Sequence, residues 1–192
     1  MTMKFCMACG SQVELKVPSG DNRERHVCIT CGEIHYQNPK IVTGCIPVWE
    51  DKVLLCKRAI EPRYGLWTVP AGFMENGEST HAGAMRETLE EANARVEIDE
   101  LYMTVNLPLI NQVYMLFKAQ LLDLDFSAGE ESLDVRLFSE DEIPWDELAF
   151  PTVEISLKRF LADRARGEFT PGMVDIVRDA EAPKGYRVTE IA

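Results

Sequence analysis

The amino-acid sequence predicts an α/β protein that begins with a small metal-binding segment, and three observations lead to this fold class. Short β-rich runs lie before and after a central helical stretch at residues 79–92. A second stretch, at residues 152–166, has its apolar side chains on one side of a helix. Residues 1–36 contain two matched Cys-x-x-Cys pairs and too few apolar side chains to form a core.

The predicted elements follow in a simple order. Residues 1–36 hold two short strands, at 13–17 and 25–29, joined by a Pro-Ser-Gly-Asp turn. Pro39 keeps the preceding residue extended and marks a boundary. Further β-rich runs lie at 41–49, 53–57, 66–70, 96–106, 112–122 and 135–138. Ser79 is a suitable N-cap for the central helix.

The tail at residues 167–192 carries no strong signal, and we expect it to be partly irregular. The chain therefore divides into a cysteine-rich segment at 1–36, a central domain at 37–150, and a C-terminal helix and tail at 151–192.

The first four cysteines have the spacing of a tetrahedral metal site with four thiolate ligands. They are Cys6, Cys9, Cys28 and Cys31. A glycine follows each pair and permits a tight turn, which is typical of zinc knuckles. Zinc would supply stability that so short a segment cannot gain from apolar burial. A rubredoxin-like iron site uses the same ligands and stays open. Cys45 and Cys56 lie in apolar runs, and we expect them in the core.

The composition limits the class of partner and the compartment. The 192 residues carry a formal net charge of −12, which disfavours a nucleic-acid backbone as the main partner. A hydrophobic content of 46% suits a globular core. No apolar run has the length of a membrane span, and the N-terminus lacks the layout of a secretory signal. We expect a cytoplasmic protein, or a stromal one if the chain is a mature organellar form.

The central helix carries an acidic face. Glu87, Glu90 and Glu91 fall within about a third of its circumference, since each residue turns about 100°. No Lys or Arg is expected to relieve their repulsion. An apolar stripe on the opposite side is expected to pack on the core, through Ala82, Met85, Leu89 and Ala92. The face is either a solvated acidic surface or a site for a divalent cation, which takes carboxylate oxygens and bridges to phosphates.

The spacing Gly72-x5-Glu78-x7-Arg86-Glu87-x2-Glu90-Glu91 resembles the signature of the Nudix hydrolases, enzymes that cleave a nucleoside diphosphate linked to another moiety. Asn93 stands where the family has glycine, and Thr88 where an aliphatic residue is usual. Asparagine is the next-best residue for the left-handed turn that ends a helix. The resemblance implies the Nudix α/β/α sandwich, preceded by a zinc ribbon.

The resemblance also implies a catalytic Mg²⁺ or Mn²⁺ site on the acidic face. Glu87 and Glu91 would be its core ligands, and Glu90 would join them or hold a second ion. The backbone carbonyl of Ala71 would contribute a further oxygen. The supporting residues would be Gly72, Glu78 and Arg86, with Glu78 orienting the helix carboxylates through Arg86.

A loop outside the motif usually supplies one more glutamate in this family. Glu131 is the candidate for that ligand or general base, and Glu130 is its competitor. The alternative is an exposed acidic loop without a role. The general base stays open among Glu87, Glu91 and Glu131.

Substrate contacts are expected from residues outside the motif. Arg58 and Arg63 are candidates for meeting phosphate oxygens. Tyr64, Phe73 and Tyr102 are candidates for contacting the rest of the substrate, because aromatic rings stack on planar groups.

A zinc ribbon ahead of the motif is found in two Nudix groups. NADH pyrophosphatases carry a Ser-Gln-Pro-Trp-type motif after the helix, and residues 106–112 lack it. The runs at 36–40, 54–58, 65–72 and 141–144 instead resemble the FAD and ADP-ribose pyrophosphatase of plant plastids and bacteria. The implied reaction splits FAD into FMN and AMP, or ADP-ribose into AMP and ribose 5-phosphate.

Other readings of the resemblance stay open. They are an NADH pyrophosphatase or NAD-capped RNA hydrolase, a nucleic-acid-binding module, and a Nudix-fold nucleotide sensor without activity. We expect a small nucleotide as the partner, without nucleic acid or membrane. A homodimer is compatible with the sequence.

Overall fold

Pro39 opens the second of two folded units in the computed structural model, which describes residues 3–191. The first unit is a three-stranded antiparallel sheet in the order β1-β2-β3, with bounds β1 (Val13–Lys16), β2 (Arg25–Cys28) and β3 (Ile34–His35). An ion pair from Arg25 Nε to Asp21 Oδ2, at 2.9 Å, holds the turn before β2. Among its described residues, the buried hydrophobic side chains are Cys6, Val27 and Cys28. Apolar burial alone therefore stabilises this unit little.

The second unit is built on a nine-stranded mixed sheet. Its strands are β4 (Lys40–Trp49), β5 (Lys52–Arg58), β6 (Trp67–Thr68), β7 (Ala71–Phe73), β8 (Val96–Leu107), β9 (Gln112–Leu121), β10 (Ser132–Phe138), β11 (Gly172–Arg178) and β12 (Tyr186–Glu190). The order is β10-β5-β4-β9-β8-β11-β12, with β6 paired to β5 and β7 paired to β4. The pairs β4–β9 and β8–β11 are parallel, and the other pairs are antiparallel.

Two α-helices cover opposite faces of this sheet, α1 (Thr80–Ala92) and α2 (Pro151–Arg166). Cys45 packs in one core cluster with Ala84 of α1. Ile46, the next residue of β4, packs in the other cluster with Leu157 and Phe160 of α2. Successive strand residues point to opposite faces, so the predicted α/β/α sandwich is confirmed. In the part of the chain that the structure describes, no helix is long and apolar enough to cross a bilayer.

The ends of α1 agree with the sequence prediction. Ser79 is the N-cap, and its hydroxyl accepts a hydrogen bond from the Ala82 amide at 3.4 Å. Asn93 ends the helix in the left-handed conformation with φ 46°, and its amide donates to the Leu89 carbonyl at 2.8 Å. The cap hydrogen bonds of Ser79 and Asn93 therefore determine where α1 begins and ends.

The buried face of α1 differs from the prediction. Met85 and Leu89, predicted to face the core, are 42% and 50% exposed. The buried residues are Gly83, Ala84, Glu87, Thr88, Glu91 and Ala92. The helix presents its smallest side chains to the sheet and brings two glutamates inward with them. Helical periodicity alone predicts the opposite orientation of α1, because the face with Met85 and Leu89, which is exposed in the structure, is the more apolar one.

The tail is irregular in part, as expected, but residues 172–190 also contain two strands that the sequence did not signal. Val174 and Ile176 of β11 are buried against the core, and β12 returns antiparallel to β11. The backbone of β11 pairs with β8, from Gly172 opposite Met103 to Asp175 opposite Asn106. Such pairing comes from a strand distant in sequence, so a local reading of the tail misses it.

Candidate active site and thiol cluster

The candidate site lies where the chain passes from β7 into α1. Residues 74–79 form the connection, and Glu87 rests against the backbone of Gly72. The Ala71 backbone amide interacts with Glu91 one turn further along α1. The strand and the helix thus bring together the predicted residues Ala71, Gly72, Glu87 and Glu91.

Arg86 donates hydrogen bonds to several of the carboxylates around the candidate site. Its Nε and Nη2 donate to both carboxylate oxygens of Glu78, at 3.0 and 2.8 Å. Its Nη1 donates to Glu87 and Glu90, at 2.8 and 2.9 Å, and its Nη2 to the Phe73 carbonyl at 3.2 Å. The hydrogen bonds from Arg86 lower the pKa of Glu78 to about 2. The predicted pairing of Glu78 with Arg86 is therefore present.

The same contacts correct one expectation. The acidic face was predicted to lack any basic residue, but Arg86 reaches across to Glu87 and Glu90. Its long side chain crosses a full turn of α1, which a reading of residues on one helical face does not anticipate. Glu90 remains 59% exposed and lies at the outer edge of the cluster.

Glu87 and Glu91 are charged side chains in a buried place, with 8% and 6% exposure. Burial, followed by the neighbouring Glu87 carboxylate, raises the pKa of Glu91 to about 8. Burial also raises the pKa of Glu87, although Arg86 opposes the shift. The metal-free pair therefore resists full ionisation near neutral pH.

Glu131 approaches this pair from the loop before β10. Its charge raises the pKa of both Glu87 and Glu91. Its backbone carbonyl accepts a hydrogen bond from the Ala59 amide at 2.8 Å. The effect of the Glu131 charge on both carboxylates supports Glu131 over its neighbour Glu130 as the third carboxylate of the cluster.

The cluster fits a divalent cation. The Glu91 Oε2 atom is buried and has no hydrogen-bond partner among the described residues. An unpaired buried carboxylate oxygen costs free energy, as does the repulsion among Glu87, Glu91 and Glu131. A cation would relieve both costs. Hard carboxylate and carbonyl oxygens suit Mg²⁺ or Mn²⁺.

Arg58 is a candidate substrate residue close to the cluster. Burial raises the pKa of Glu91 and that of Tyr114, and the charge of Arg58 opposes both shifts. Its guanidinium lies over the ring of Phe150, 5.1 Å from the centroid, and its Nε donates to the Pro62 carbonyl at 3.0 Å. Tyr114 and Phe150 were missed in the sequence. They come from β9 and from the start of α2, and no motif joins them to Arg58.

The other predicted substrate residues are distributed differently. Phe73 is 48% exposed, directly after Gly72, and lies under Lys40 Nζ at 4.6 Å. Arg63 and Tyr64 are exposed in the turn between β5 and β6. Tyr102 is fully buried, and its hydroxyl donates to Asp163 Oδ2 of α2 at 2.7 Å. The structure therefore places Tyr102 in the core, because β8 turns this residue towards α2.

A cavity of about 470 Å³ lies elsewhere, between α2 and the C-terminal strands. None of the carboxylates of the candidate site lines it. Its two arginines are already paired, Arg159 with Glu190 and Arg166 with Asp163. Both arginines therefore already have a carboxylate partner, although the buried Nε of Arg159 has no hydrogen-bond partner among the described residues. The carboxylate cluster remains the candidate active site.

The N-terminal unit holds the predicted thiol cluster. The four sulfur atoms of Cys6, Cys9, Cys28 and Cys31 lie within 4.8 Å of one another. The Sγ–Sγ distances are 3.7 Å for Cys6–Cys31 and 3.5 Å for Cys9–Cys28. A tetrahedron with metal–sulfur bonds of about 2.3 Å has edges of about 3.8 Å, so the cluster fits zinc. Cys45 and Cys56 are fully buried in the second unit, as predicted.

Backbone amides support the thiol cluster. The Ala8 amide points at Cys6 Sγ, and the amides of Thr30 and Cys31 point at Cys28 Sγ, each at 3.4 Å. Amide donors stabilise thiolates, the form that binds metal. A metal ion held by all four thiolates would have no open position for a reacting water.

Comparison with known proteins separates an N-terminal and a second segment near residue 38, where the border between the two folded units also lies. The family model described as "Nudix N-terminal", a zinc ribbon, matches residues 4–37, and the model of the NUDIX domain matches residues 38–163. A crystal structure of a NUDIX hydrolase from Nitrosomonas europaea is 59% identical with a TM-score of 0.86, covering 90% of this chain and 99% of that one. The ADP-ribose pyrophosphatase of Streptococcus suis shares the fold at 23% identity, with a TM-score of 0.56, over 71% of this chain and 98% of that one.

Among curated proteins, the NAD-capped RNA hydrolase NudC of Vibrio vulnificus is 31% identical over 151 residues. The match covers 74% of this chain and 53% of the NudC protein. The chain thus spans about half the length of the curated relatives it matches.

Proposed function

The chain belongs to the Nudix family, and on that premise we propose that it is a Mg²⁺-dependent pyrophosphatase that cleaves adenosine-containing dinucleotides. The observation that carries this proposal is the buried pair Glu87 and Glu91, with the Oε2 atom of Glu91 unpaired and a third carboxylate, Glu131, beside it. A site that only binds nucleotides does not require a buried cluster of carboxylates, whose desolvation and mutual repulsion cost free energy.

Each residue of the cluster has a defined part in the proposed reaction. Glu87 and Glu91 would hold the cation with the Ala71 carbonyl, and Glu131 would complete the ligand set or remove the proton from the attacking water. Glu90 lies further out and would hold a second ion. Glu78 and Arg86 keep the helix carboxylates in place through the hydrogen bonds of Arg86. When bound, the divalent ion neutralises phosphate oxygens and makes a water more acidic.

Arg58 is proposed to meet a phosphate oxygen of the substrate. It lies close enough to Glu91 to shift the pKa of that carboxylate, and it is anchored by Pro62 and Phe150. A fixed guanidinium stabilises charge that develops on the leaving phosphate. Phe73 and Tyr114 flank Val42 on neighbouring strands and offer rings for a planar group.

The preferred substrate is proposed to be a dinucleotide of the NAD type, cleaved to NMN and AMP. The support is the similarity to proteins named NAD-capped RNA hydrolase, at 31% and 28% identity over 74% and 83% of this chain. The sequence-based expectation put FAD and ADP-ribose first, and the relatives favour its alternative.

FAD or ADP-ribose remains the second candidate, on one specific observation. Residues 106–112 lack the Ser-Gln-Pro-Trp-type motif that accompanies NADH cleavage in the family. They form the end of β8, a 3₁₀ turn at Pro108–Ile110 and the start of β9. A change of sequence there alters the contacts to the half of the substrate that is not AMP.

We also propose that the free dinucleotide is a better substrate than NAD-capped RNA. The net charge of −12 repels a long polyanion, whereas a dinucleotide docks through cations. The zinc ribbon is proposed to hold one structural zinc ion.

One experiment separates these proposals. The values of kcat/KM for NADH, NAD⁺, FAD, ADP-ribose and NAD-capped RNA are measured under one Mg²⁺ condition, and products are resolved by chromatography. We expect AMP from the preferred dinucleotide and the highest value for NADH or NAD⁺. A tenfold preference for FAD or ADP-ribose selects the second candidate, and a preference for capped RNA overturns the argument from charge. Binding of nucleotides without any product identifies a sensor.

A further inference from the structure

Asn93 does more than end α1, because its side chain also reaches the loop that carries Glu131. Its Nδ2 lies 3.1 Å from Ser127 Oγ, 3.4 Å from the Ser127 carbonyl and 3.3 Å from the Ala128 carbonyl. All three are oxygen acceptors on consecutive residues. One carboxamide thus ties the end of α1 to a segment 34 positions away in sequence.

Two backbone hydrogen bonds continue this contact. The Ser127 amide donates to the Ala92 carbonyl at 2.9 Å, and the Gly129 amide donates to the Glu91 carbonyl at 3.0 Å. The last carbonyls of a helix have no partner within the helix, and this loop supplies them. The approach is close enough that a Cβ at Gly129 would lie 1.8 Å from the Glu90 carbonyl oxygen.

Glu131 follows two residues after the last of these contacts. The Glu131 carbonyl accepts a hydrogen bond from the Ala59 amide, and β10 begins at the next residue, Ser132. The loop is therefore held at one end by α1 and at the other by the end of β5. Between these two attachments, the Glu131 side chain lies close enough to Glu87 and Glu91 for its charge to raise the pKa of both carboxylates.

We propose that Asn93 is a positioning residue, which holds the loop so that Glu131 faces Glu87 and Glu91. This inference rests on the proposed function, since it takes Glu131 as part of the catalytic cluster. Asn93 itself touches neither substrate nor cation. A glycine at this position would end the helix equally well, but it would leave the three loop oxygens without their donor.

The test compares Asn93→Gly with the wild type. Glycine keeps the left-handed conformation, so the cap is preserved and only the carboxamide is lost. Glu50→Gly is the matched control, because Glu50 also has a positive φ of 54°, in the exposed turn between β4 and β5. Asn93→Asp is a second variant, since aspartate tolerates the same backbone but presents oxygens in place of the donor.

Four quantities are measured on the full chain: the thermal midpoint, the amide hydrogen exchange of Ser127 and Gly129 without divalent cation, and kcat and KM with Mg²⁺. In Asn93→Gly we expect exchange at both amides to accelerate about three- to tenfold, as one or two lost hydrogen bonds imply. We expect kcat to fall by a similar factor at unchanged KM, and the thermal midpoint to fall by about 2–4 °C. Asn93→Asp should be affected at least as strongly, and Glu50→Gly should resemble the wild type.

Unchanged exchange at Ser127 and Gly129 in Asn93→Gly overturns the proposal. Faster exchange with an unchanged kcat overturns it as well, because the loop would then be held without any consequence for Glu131. If the wild type cleaves none of the dinucleotides, the proposed function fails and the positioning role fails with it. A wild-type enzyme that is active, with an equally active Asn93→Gly, removes only the role of Asn93.

Discussion

The Glu87 carboxylate occupies the space in which a side chain at Gly72 would stand. A Cβ built on Gly72 would lie 2.3 Å from Glu87 Oε2 and 2.4 Å from its carboxyl carbon. Glycine at this position therefore serves close approach between β7 and α1, and its backbone angles are not unusual. Gly72 and Glu87, the first glycine and the first helix glutamate of the motif, are therefore in direct contact.

Gly72→Ala should displace the Glu87 carboxylate and lower kcat by about a hundredfold, since small misplacements in an active site have effects of that order. The contact involves the far end of a flexible side chain, so the fold should survive with little change in the thermal midpoint. Steady-state kinetics with a Mg²⁺ titration would measure the effect. A fully active Gly72→Ala would show that the position of Glu87 is not critical.

Glu91→Gln should change both activity and the pH dependence of stability. Turnover should fall by about a hundredfold, because the site loses a charge that acts on the transition state. The folded-state pKa of Glu91 is raised to about 8 from an ordinary value of 4.5. In magnesium-free buffer, the folded protein therefore retains a proton that the unfolded chain releases, and stability is lost as the pH rises from about 4.5 through about 8.

Urea unfolding of wild type and Glu91→Gln at several pH values would test this second effect. The variant should gain stability relative to the wild type as the pH rises, and the two should converge in acid. Parallel curves across this range would contradict the raised pKa. Added Mg²⁺ should stabilise the wild type and not the variant.

Glu131→Gln should lower kcat, whereas Glu130→Gln should behave as the wild type. The two residues are adjacent, both exposed and chemically identical, so each is a matched control for the other. The charge of Glu131 raises the pKa of Glu87 and of Glu91, which supports Glu131 as the residue that faces the cluster. Comparison of kcat and of the Mg²⁺ activation constant decides between them. The reverse ranking would mean that the loop presents the other carboxylate to the substrate.

The thiol cluster should contain one zinc ion per chain, with Zn–S distances of about 2.3 Å. Elemental analysis and X-ray absorption on freshly reduced protein would measure both. Cys6→Ser should unfold the ribbon or reduce solubility, while the remaining folded protein keeps its turnover. Iron in place of zinc would identify a rubredoxin-like site instead.

Tyr102→Phe should lower the free energy of unfolding by about 1–2 kcal/mol, because it removes a donor from the buried carboxylate of Asp163. It should leave KM for every substrate unchanged, since the ring is fully buried under α2. Denaturant unfolding and steady-state kinetics would check the two parts. A raised KM with unaltered stability would restore Tyr102 to the substrate site.

The sequence alone determined the features that depend on neighbouring residues. The caps of α1 at Ser79 and Asn93 and the two cysteine pairs are local, because a few adjacent residues make each of them. The resemblance of the motif to the Nudix signature also implied the ion pair of Glu78 with Arg86, which the structure contains. The helix caps and the turns at the cysteine pairs follow from turn geometry and helical pitch, which depend on a few adjacent residues.

Only the tertiary structure decided which side chains are buried and which distant segments pair. Glu87 and Glu91 are buried while Met85 and Leu89 are exposed, because the sheet has room for small side chains and carboxylates at that place. Tyr102 meets Asp163 across 61 positions, and Val174 lies beside Val105 in a parallel pair. Burial and pairing of this kind depend on which distant segments meet, and hydrophobic periodicity contains no information on the partner. The loop that Asn93 holds is positioned in the same way, by contacts between residues that local sequence does not connect.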